Sequence, residues 1–234
     1  MIRCTVTIER WAMREVFATS RDAITHIPVI LVTLHGHHGH VGRGEAAGVD
    51  YAGETPESMQ AQVLAVATFL HAHITPHELQ TLLPAGGARN ALDCALWDLR
   101  AKETGIPVPV SAGLAPLHSV RTVLTLGLAD EVDTRRKARD ARAYPELKIK
   151  LDADRHLDVV KIVREEHPTA RLVVDANQAW DRDLLDRLEP PMRDLGVELI
   201  EQPVPHGQDE SLDGYRGLIP LAADESCVDR NSYP

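Results

Sequence analysis

Cysteine is scarce in this 234-residue chain: Cys4, Cys94 and Cys227 are odd in number and far apart. That excludes a disulfide framework and a zinc knuckle, and it predicts a reducing, cytoplasmic setting. Positive charge is short as well. With 25 basic against 35 acidic side chains the net charge is −10, which argues against a nucleic-acid partner and against a polybasic membrane anchor. Long apolar runs are missing: no segment approaches the roughly 20 residues of a membrane span. The opening MIRCTVTIER alternates like a strand and lacks the apolar stretch of a signal peptide. What remains, 44% hydrophobic and 26% charged residues, is the mix of a chain that buries a core and works on small molecules.

Two grammars divide the sequence. Up to about residue 48 it reads as β structure: Ile27–Leu34 is rich in β-branched residues, and the Gly/His stretch 35–40 turns it back into Val41–Glu45. Thr55-Pro56 then opens a helix, cap residue before proline, whose apolar stripe runs through Met59, Val63, Val66, Leu70 and Ile74. A second helix is expected from Arg89 to Lys102, ended by Gly105-Ile-Pro107. This is an α+β unit. Beyond about residue 115, short apolar runs begin at Thr122, Leu147, Leu172, Glu198 and Pro220, 22 to 26 residues apart, with a helix-length segment after each. Such a βα repeat predicts a parallel sheet covered by helices. Asp154 is the expected cap of one of these helices, and Pro190-Pro191 is expected to break another.

In parallel α/β folds functional groups gather at the C-terminal ends of strands. Here those ends carry Lys148 and Lys150, Asp175 and Asn177, Glu201, then Asp224 and Glu225. One such residue is explained by solvation alone; four consecutive strands ask for more. In Lys148-Ile-Lys150 the two ammonium groups share a face, and proximity is expected to lower the pKa of one of them, making a general base. Asp175, Glu201 and Asp224 each follow an apolar strand and are expected to converge. A carboxylate cluster repels itself unless a cation sits in it, and an all-oxygen set suits Mg²⁺, with Mn²⁺ possible. A cation facing a lysine base is suited to removing a weakly acidic proton beside a carboxylate. Two other features carry less. The tract His35, His37, His38, His40 reads as adventitious, and Trp97 and Asp98 read as packing and a local hydrogen bond.

Lys148-Ile-Lys150, Asp175-Ala-Asn177, Ile200-Glu201-Gln202-Pro203 and Ala223-Asp224-Glu225-Ser226 resemble, in order and near the spacing, the motifs of the enolase superfamily in its muconate-lactonizing subgroup. Upstream, Gly42–Glu45, Tyr51–Thr55 and Ala91–Leu99 resemble that family's capping domain. The resemblance implies a capping domain at 1–115 and a (β/α) barrel at 116–234, of which five βα units are present. It implies Lys150 as the base, Lys148 as a stabiliser of the enolate, and Asp175, Glu201 and Asp224 as Mg²⁺ ligands. The segments 17–21 and 201–205 most resemble dipeptide epimerases, which implies a dipeptide substrate such as L-Ala-D/L-Glu. Arg21, Tyr51, Thr122 and Asn177 would then contact it, Arg21 through a distal carboxylate. A homo-oligomer is compatible with the resemblance. Cycloisomerase and o-succinylbenzoate synthase activities share the same chemistry and stay open. The family barrel has eight units, with a second lysine on the sixth strand and an Asp-x-Asp on the eighth, so two expectations stand side by side: the larger part of a dipeptide epimerase, or a catalytically silent natural truncation.

Overall fold

A computed structural model describes residues 2–18, 23–49, 52–71, 74–115, 117–152, 154–229 and 232. The contacts of the chain separate into two units, one made of 1–14 and 25–119, the other of 15–24 and 120–234. Arg21 and Tyr51 lie outside the described residues.

The first unit is built on a sheet ordered β1 (Arg3–Ala18), β2 (Ala23–His35) and β3 (Val41–Ala46). β2 and β3 are antiparallel, registered from Ile30 opposite Ala46 to His35 opposite Val41. Alternation buries Ile30, Val32 and Leu34 on one face, where they join side chains of the helices in a single core. The histidine tract forms a tight turn at its centre, with the His37 amide bonded to Glu103 Oε1 at 3.0 Å. Helix α1 (Pro56–Val66) starts as expected, because Thr55 and Ser58 bond each other's backbone amides in a capping box. It stops at Val66, short of the expected Ile74. Leu70 and Ile74 are nonetheless buried in the same core, and Thr75-Pro76 starts a new helix, α2 (Pro76–Leu82). Burial, rather than helical geometry, sets their spacing.

Helix α3 (Gly87–Thr104) ends where Gly105 takes a left-handed φ of 69°. It lies unusually close to β3. A Cβ on Gly42 would run into the carbonyl oxygen of Ala95, and one on Gly44 into that of Ala91, so two glycines and two alanines let helix and strand backbones touch. Asp98 accepts from the Arg43 amide at 2.8 Å and from Lys102 Nζ at 2.6 Å, the packing and local hydrogen bond expected for it. A four-residue helix, α4 (Val108–Ser111), follows.

The second unit is a parallel sheet in sequence order: β4 (Leu124–Leu126), β5 (Glu146–Lys150), β6 (Arg171–Asp175), β7 (Val197–Glu201) and β8 (Leu221–Ala222). Helices α5 (Glu131–Asp140), α6 (Leu157–Glu166) and α7 (Arg182–Asp194) follow the first three of these strands. Leu147, Ile149, Leu151, Leu172, Val174 and Ile200 pack with Val160, Val163, Leu185 and Met192 of the helices. Three expectations are corrected. Asp154 does not cap α6; Asp152 Oδ1 accepts instead from the amides of Asp154 and Arg155 at 3.0 and 2.8 Å. Pro190 and Pro191 do not break α7. The carbonyls they leave without partners belong to Asp186 and Arg187, both exposed, where water can serve them. Finally, β7 and β8 are joined by a short 3₁₀ turn, Asp209–Leu212, instead of an α-helix, in a segment punctuated by Pro203, Pro205, Gly207, Gly214 and Gly217. Among the described residues no helix is long and apolar enough to cross a membrane.

The N-terminal end of this sheet is held by Arg164. Its guanidinium donates to the carbonyls of Leu195 (2.8 Å), Pro168 (3.0 Å), Ala170 (2.7 Å) and Gly196 (3.2 Å), collecting the orphan acceptors where α6 and α7 give way to β6 and β7. Arg164→Met should therefore lower unfolding stability by about 2 kcal/mol, as the part-buried carbonyls of Leu195 and Ala170 lose a charged donor; urea denaturation measures it. Gly44→Ala should cost at least about 2 kcal/mol by forcing α3 off β3, and an unchanged denaturation midpoint would contradict the close approach.

Candidate active site

Parallel register aligns the strand ends. Lys150 stands opposite Asp175, Asp175 opposite Glu201, and Glu201 opposite Ala222, so a lysine and two carboxylates form one row across neighbouring strands about 4.8 Å apart. Lys148 lies two residues back on the same face. The ladder continues beyond the strands: Leu151 N donates to Asp175 O at 2.9 Å, and Ala176 N to Glu201 O at 3.1 Å. The polar row is thus mounted directly on the apolar core, with Ile149 1% exposed between the two lysines.

Within the row the charges interlock. Lys148 Nζ lies 2.9 Å from Asp175 Oδ2 and 2.7 Å from Glu201 Oε1, while Lys150 Nζ lies 2.8 Å from Asp175 Oδ2 and 2.6 Å from Asn177 Oδ1. Asp175 is fully buried. Burial alone would raise its carboxyl, but the hydrogen bonds from Lys150 and Lys148 outweigh it and hold the group below the usual carboxylate range. In Glu201 burial prevails over the hydrogen bond from Lys148 and, helped by the charges of Asp175 and Asp224, lifts the carboxyl above its ordinary value. Lys148 is not a lowered lysine: burial pulls its pKa down, yet the bonds to Glu201 and Asp175 win and raise it.

The carboxylates also meet less fully than their spacing suggests. Asp175 and Glu201 share the Lys148 ammonium, but Asp224 follows β8 by two residues and is exposed. Among the described residues no three His, Cys, Asp or Glu side chains are grouped closely enough to hold a metal. The physical reason is charge: the ammonium groups of Lys148 and Lys150 compensate Asp175 and Glu201, and Asp224 stays exposed. Thr122 is not brought to the row. It is exposed and lies two residues before β4, at the N-terminal end, about 16 Å of strand away from the level of Lys150. Thr125 is the β4 residue registered with Lys148, and the alternation Leu124-Thr125-Leu126 was the signal for it.

Two further residues belong to the site. Glu225, 5% exposed, accepts from Asn177 Nδ2 at 3.5 Å. Gln202, 2% exposed, bonds the chain after β8. Asn177, Gln178 and Gln202 all have positive φ, at 43°, 68° and 35°, so among the described residues the non-glycine positions in this strained region stand at the ends of β6 and β7.

A three-stranded sheet with helices, followed by a parallel βα array with Lys-x-Lys on one strand end and carboxylates after the next three, defines a class. The mandelate racemase/muconate lactonizing enzyme N-terminal domain family matches residues 1–110, and the enolase C-terminal domain-like family matches 127–233. The chain belongs to the mandelate racemase/muconate lactonizing group of the enolase superfamily. Within it, the chain is similar to dipeptide epimerases. It is 34% identical over 226 residues to the L-Ala-D/L-Glu epimerase of Escherichia coli, covering 96% of this chain and 70% of that one. An Agrobacterium tumefaciens enolase family member with homology to dipeptide epimerases, solved with sodium and L-Ala-L-Glu, superposes with a TM-score of 0.90 at 32% identity, over 100% of this chain and 71% of that one. The dipeptide epimerase of Methylococcus capsulatus, complexed with Mg and L-Arg-D-Lys, gives a TM-score of 0.86 at 29% identity, over 98% of this chain and 69% of that one.

The opposite shifts of Asp175 and Glu201 have opposite consequences for stability. The lowered carboxyl of Asp175 contributes stability that is complete above its unfolded value, about 3.9, and lost as pH falls through its folded value. The raised carboxyl of Glu201 costs stability above its folded value, a cost relieved on acidification. In Mg²⁺-free buffer Asp175→Asn should therefore be less stable than the parent at pH 7, and the gap should close below about pH 4. Urea denaturation from pH 7 to 3 reads it, and a gap independent of pH would contradict the ion pairing.

Proposed function

We infer that this chain carries the proton-abstracting half of a Mg²⁺-dependent dipeptide epimerase, with residues 1–115 as the capping portion and 116–234 as the barrel portion. The observation that carries the reading is the row Lys150–Asp175–Glu201 with Lys148 beside it. The donor set fits a hard divalent cation. A positive charge, the Lys148 ammonium, already sits where the carboxylates of Asp175 and Glu201 meet, and Asp224 is near enough for its charge to act on Glu201. Asp175, Glu201 and Asp224 would hold Mg²⁺, with Mn²⁺ an alternative in the same oxygen set. Bound there, the ion supplies positive charge against the negative charge that builds on the substrate carboxylate as the α-proton leaves.

This chain's own residues do the rest. Lys150 takes the α-proton on its Nζ, a position fixed by Asn177 Oδ1 at 2.6 Å. Lys148, once its carboxylates turn to the cation, is placed two residues back on the same face to donate to a substrate carboxylate oxygen. The apolar layer under Ile149 keeps water from below the row. Similarity to the E. coli L-Ala-D/L-Glu epimerase supports an acidic dipeptide, for which Arg21 would supply a guanidinium and Tyr51 a further contact. Inversion needs an acid on the opposite face of the α-carbon, so proton exchange, rather than net inversion, isolates the role of Lys150.

Incubated with Mg²⁺ and L-Ala-L-Glu in D₂O, the protein should exchange the α-proton of the glutamate residue, followed by loss of its proton NMR signal. Lys150→Met should slow exchange by about 10²- to 10⁴-fold, and chelation of the metal should abolish it. Exchange at the parental rate in either case would refute the assignment.

A further inference from the structure

Gln202 directly follows the proposed ligand Glu201 and adopts a φ of 35°, a left-handed conformation that is strained for a non-glycine residue. The turn redirects its side chain. Instead of continuing the alternation of β7, the carboxamide is 2% exposed and runs to the residues after β8. Oε1 accepts from the amide of Asp224 at 2.9 Å and from that of Ser226 at 3.1 Å. Nε2 donates to Val204 O and to Ser226 Oγ, both at 2.9 Å. Two acceptor and two donor positions are all used, so the carboxamide has one satisfied orientation. The main chain adds to the clamp: Gln202 N donates to Ala222 O, and Gln202 O accepts from Gln178 N, both at 2.8 Å. One residue thereby ties together the segments that follow β6, β7 and β8.

The sheet itself cannot place Asp224. β8 is two residues long, its last registered pair is Glu201 with Ala222, and Asp224 lies two residues further on. There its amide is held by Gln202 Oε1. The geometry points to Gln202 as the positioning residue of the cation site: it fixes the backbone of Asp224 so that this carboxylate, turning about its own side-chain bonds, can close on a cation held by Asp175 and Glu201. The inference rests on the proposed Mg²⁺ site. It also explains a strained glutamine beside the ligand, since an unstrained one would extend into solvent and leave the Asp224 and Ser226 amides to find other partners.

The test uses the whole chain and Mg²⁺ titrated by calorimetry, with amide hydrogen exchange as a second reading. Gln202→Asn is the informative variant. Asparagine tolerates a left-handed φ better than glutamine and keeps the carboxamide, but it is one methylene too short to bridge Asp224, Ser226 and Val204 together. A role confined to the turn predicts unchanged Mg²⁺ binding; the positioning role predicts a loss of about tenfold and faster exchange at the Asp224 and Ser226 amides. In an Asp224→Asn background the same change should cost nothing more, because Gln202 acts through Asp224. Losses that multiply, or parental affinity in Gln202→Asn, would overturn the inference. Should circular dichroism show Gln202→Asn unfolded, Ser226→Ala removes one of the four carboxamide bonds, with an expected loss of about threefold, again absent in the Asp224→Asn background; no loss there overturns it equally. Asp175→Asn and Asp224→Asn separate the levels: if neither weakens Mg²⁺ binding, the metal-site reading fails, and if both do while Gln202→Asn and Ser226→Ala do not, only the role of Gln202 fails.

Discussion

A fully buried carboxylate at Asp175 is the constraint on which the second unit turns. With no exposure to water, it keeps its charge through Lys148 and Lys150, at 2.9 and 2.8 Å. Removing one partner of such a pair costs about 3–5 kcal/mol, whereas an apolar replacement of the whole cluster would be tolerated or even stabilising. Stability alone therefore does not account for the cluster. A chain that spends two lysines, two carboxylates and an asparagine on a strand-end row is organised around a charge to be handled, and the parallel register is the device that brings those groups to one level.

The two ends of the sheet do different jobs. At the N-terminal end Arg164 gathers the carbonyls around the ends of α6 and α7, and Gly196 takes a φ of 77° beside it; these are satisfied groups in relaxed roles. At the C-terminal end lie the left-handed Asn177, Gln178 and Gln202, along with shifted carboxyls and a lysine pinned between acids. Strain concentrated at one end requires a well-bonded framework at the other, which is how βα architectures separate stability from chemistry.

Much of this was legible in the sequence because strand alternation has a period of two and tolerates little ambiguity. Lys148, Lys150, Asp175 and Glu201 follow from it, and so do the buried Leu147, Ile149 and Leu151. What escaped depends on tertiary bonding. The stripe through Leu70 and Ile74 marks burial rather than one helix. Pro190 and Pro191 are tolerated because the carbonyls they abandon face water. Thr122, which only the family resemblance implies, stands two residues before β4, at the end of the sheet away from the row. The exposure of Asp224 and the clamp of Gln202 depend on a turn at positive φ that no propensity for glutamine announces.

Gly42-Arg43-Gly44 has the look of a ligand-binding glycine motif, and a survey of tolerated substitutions would find both glycines nearly immutable. Their cause is mechanical: the carbonyls of Ala95 and Ala91 occupy the space a side chain would need. Intolerance at these positions would reach catalysis only through the fold, so variants there should lose soluble protein before they lose specific activity, a signature opposite to that of a binding loop.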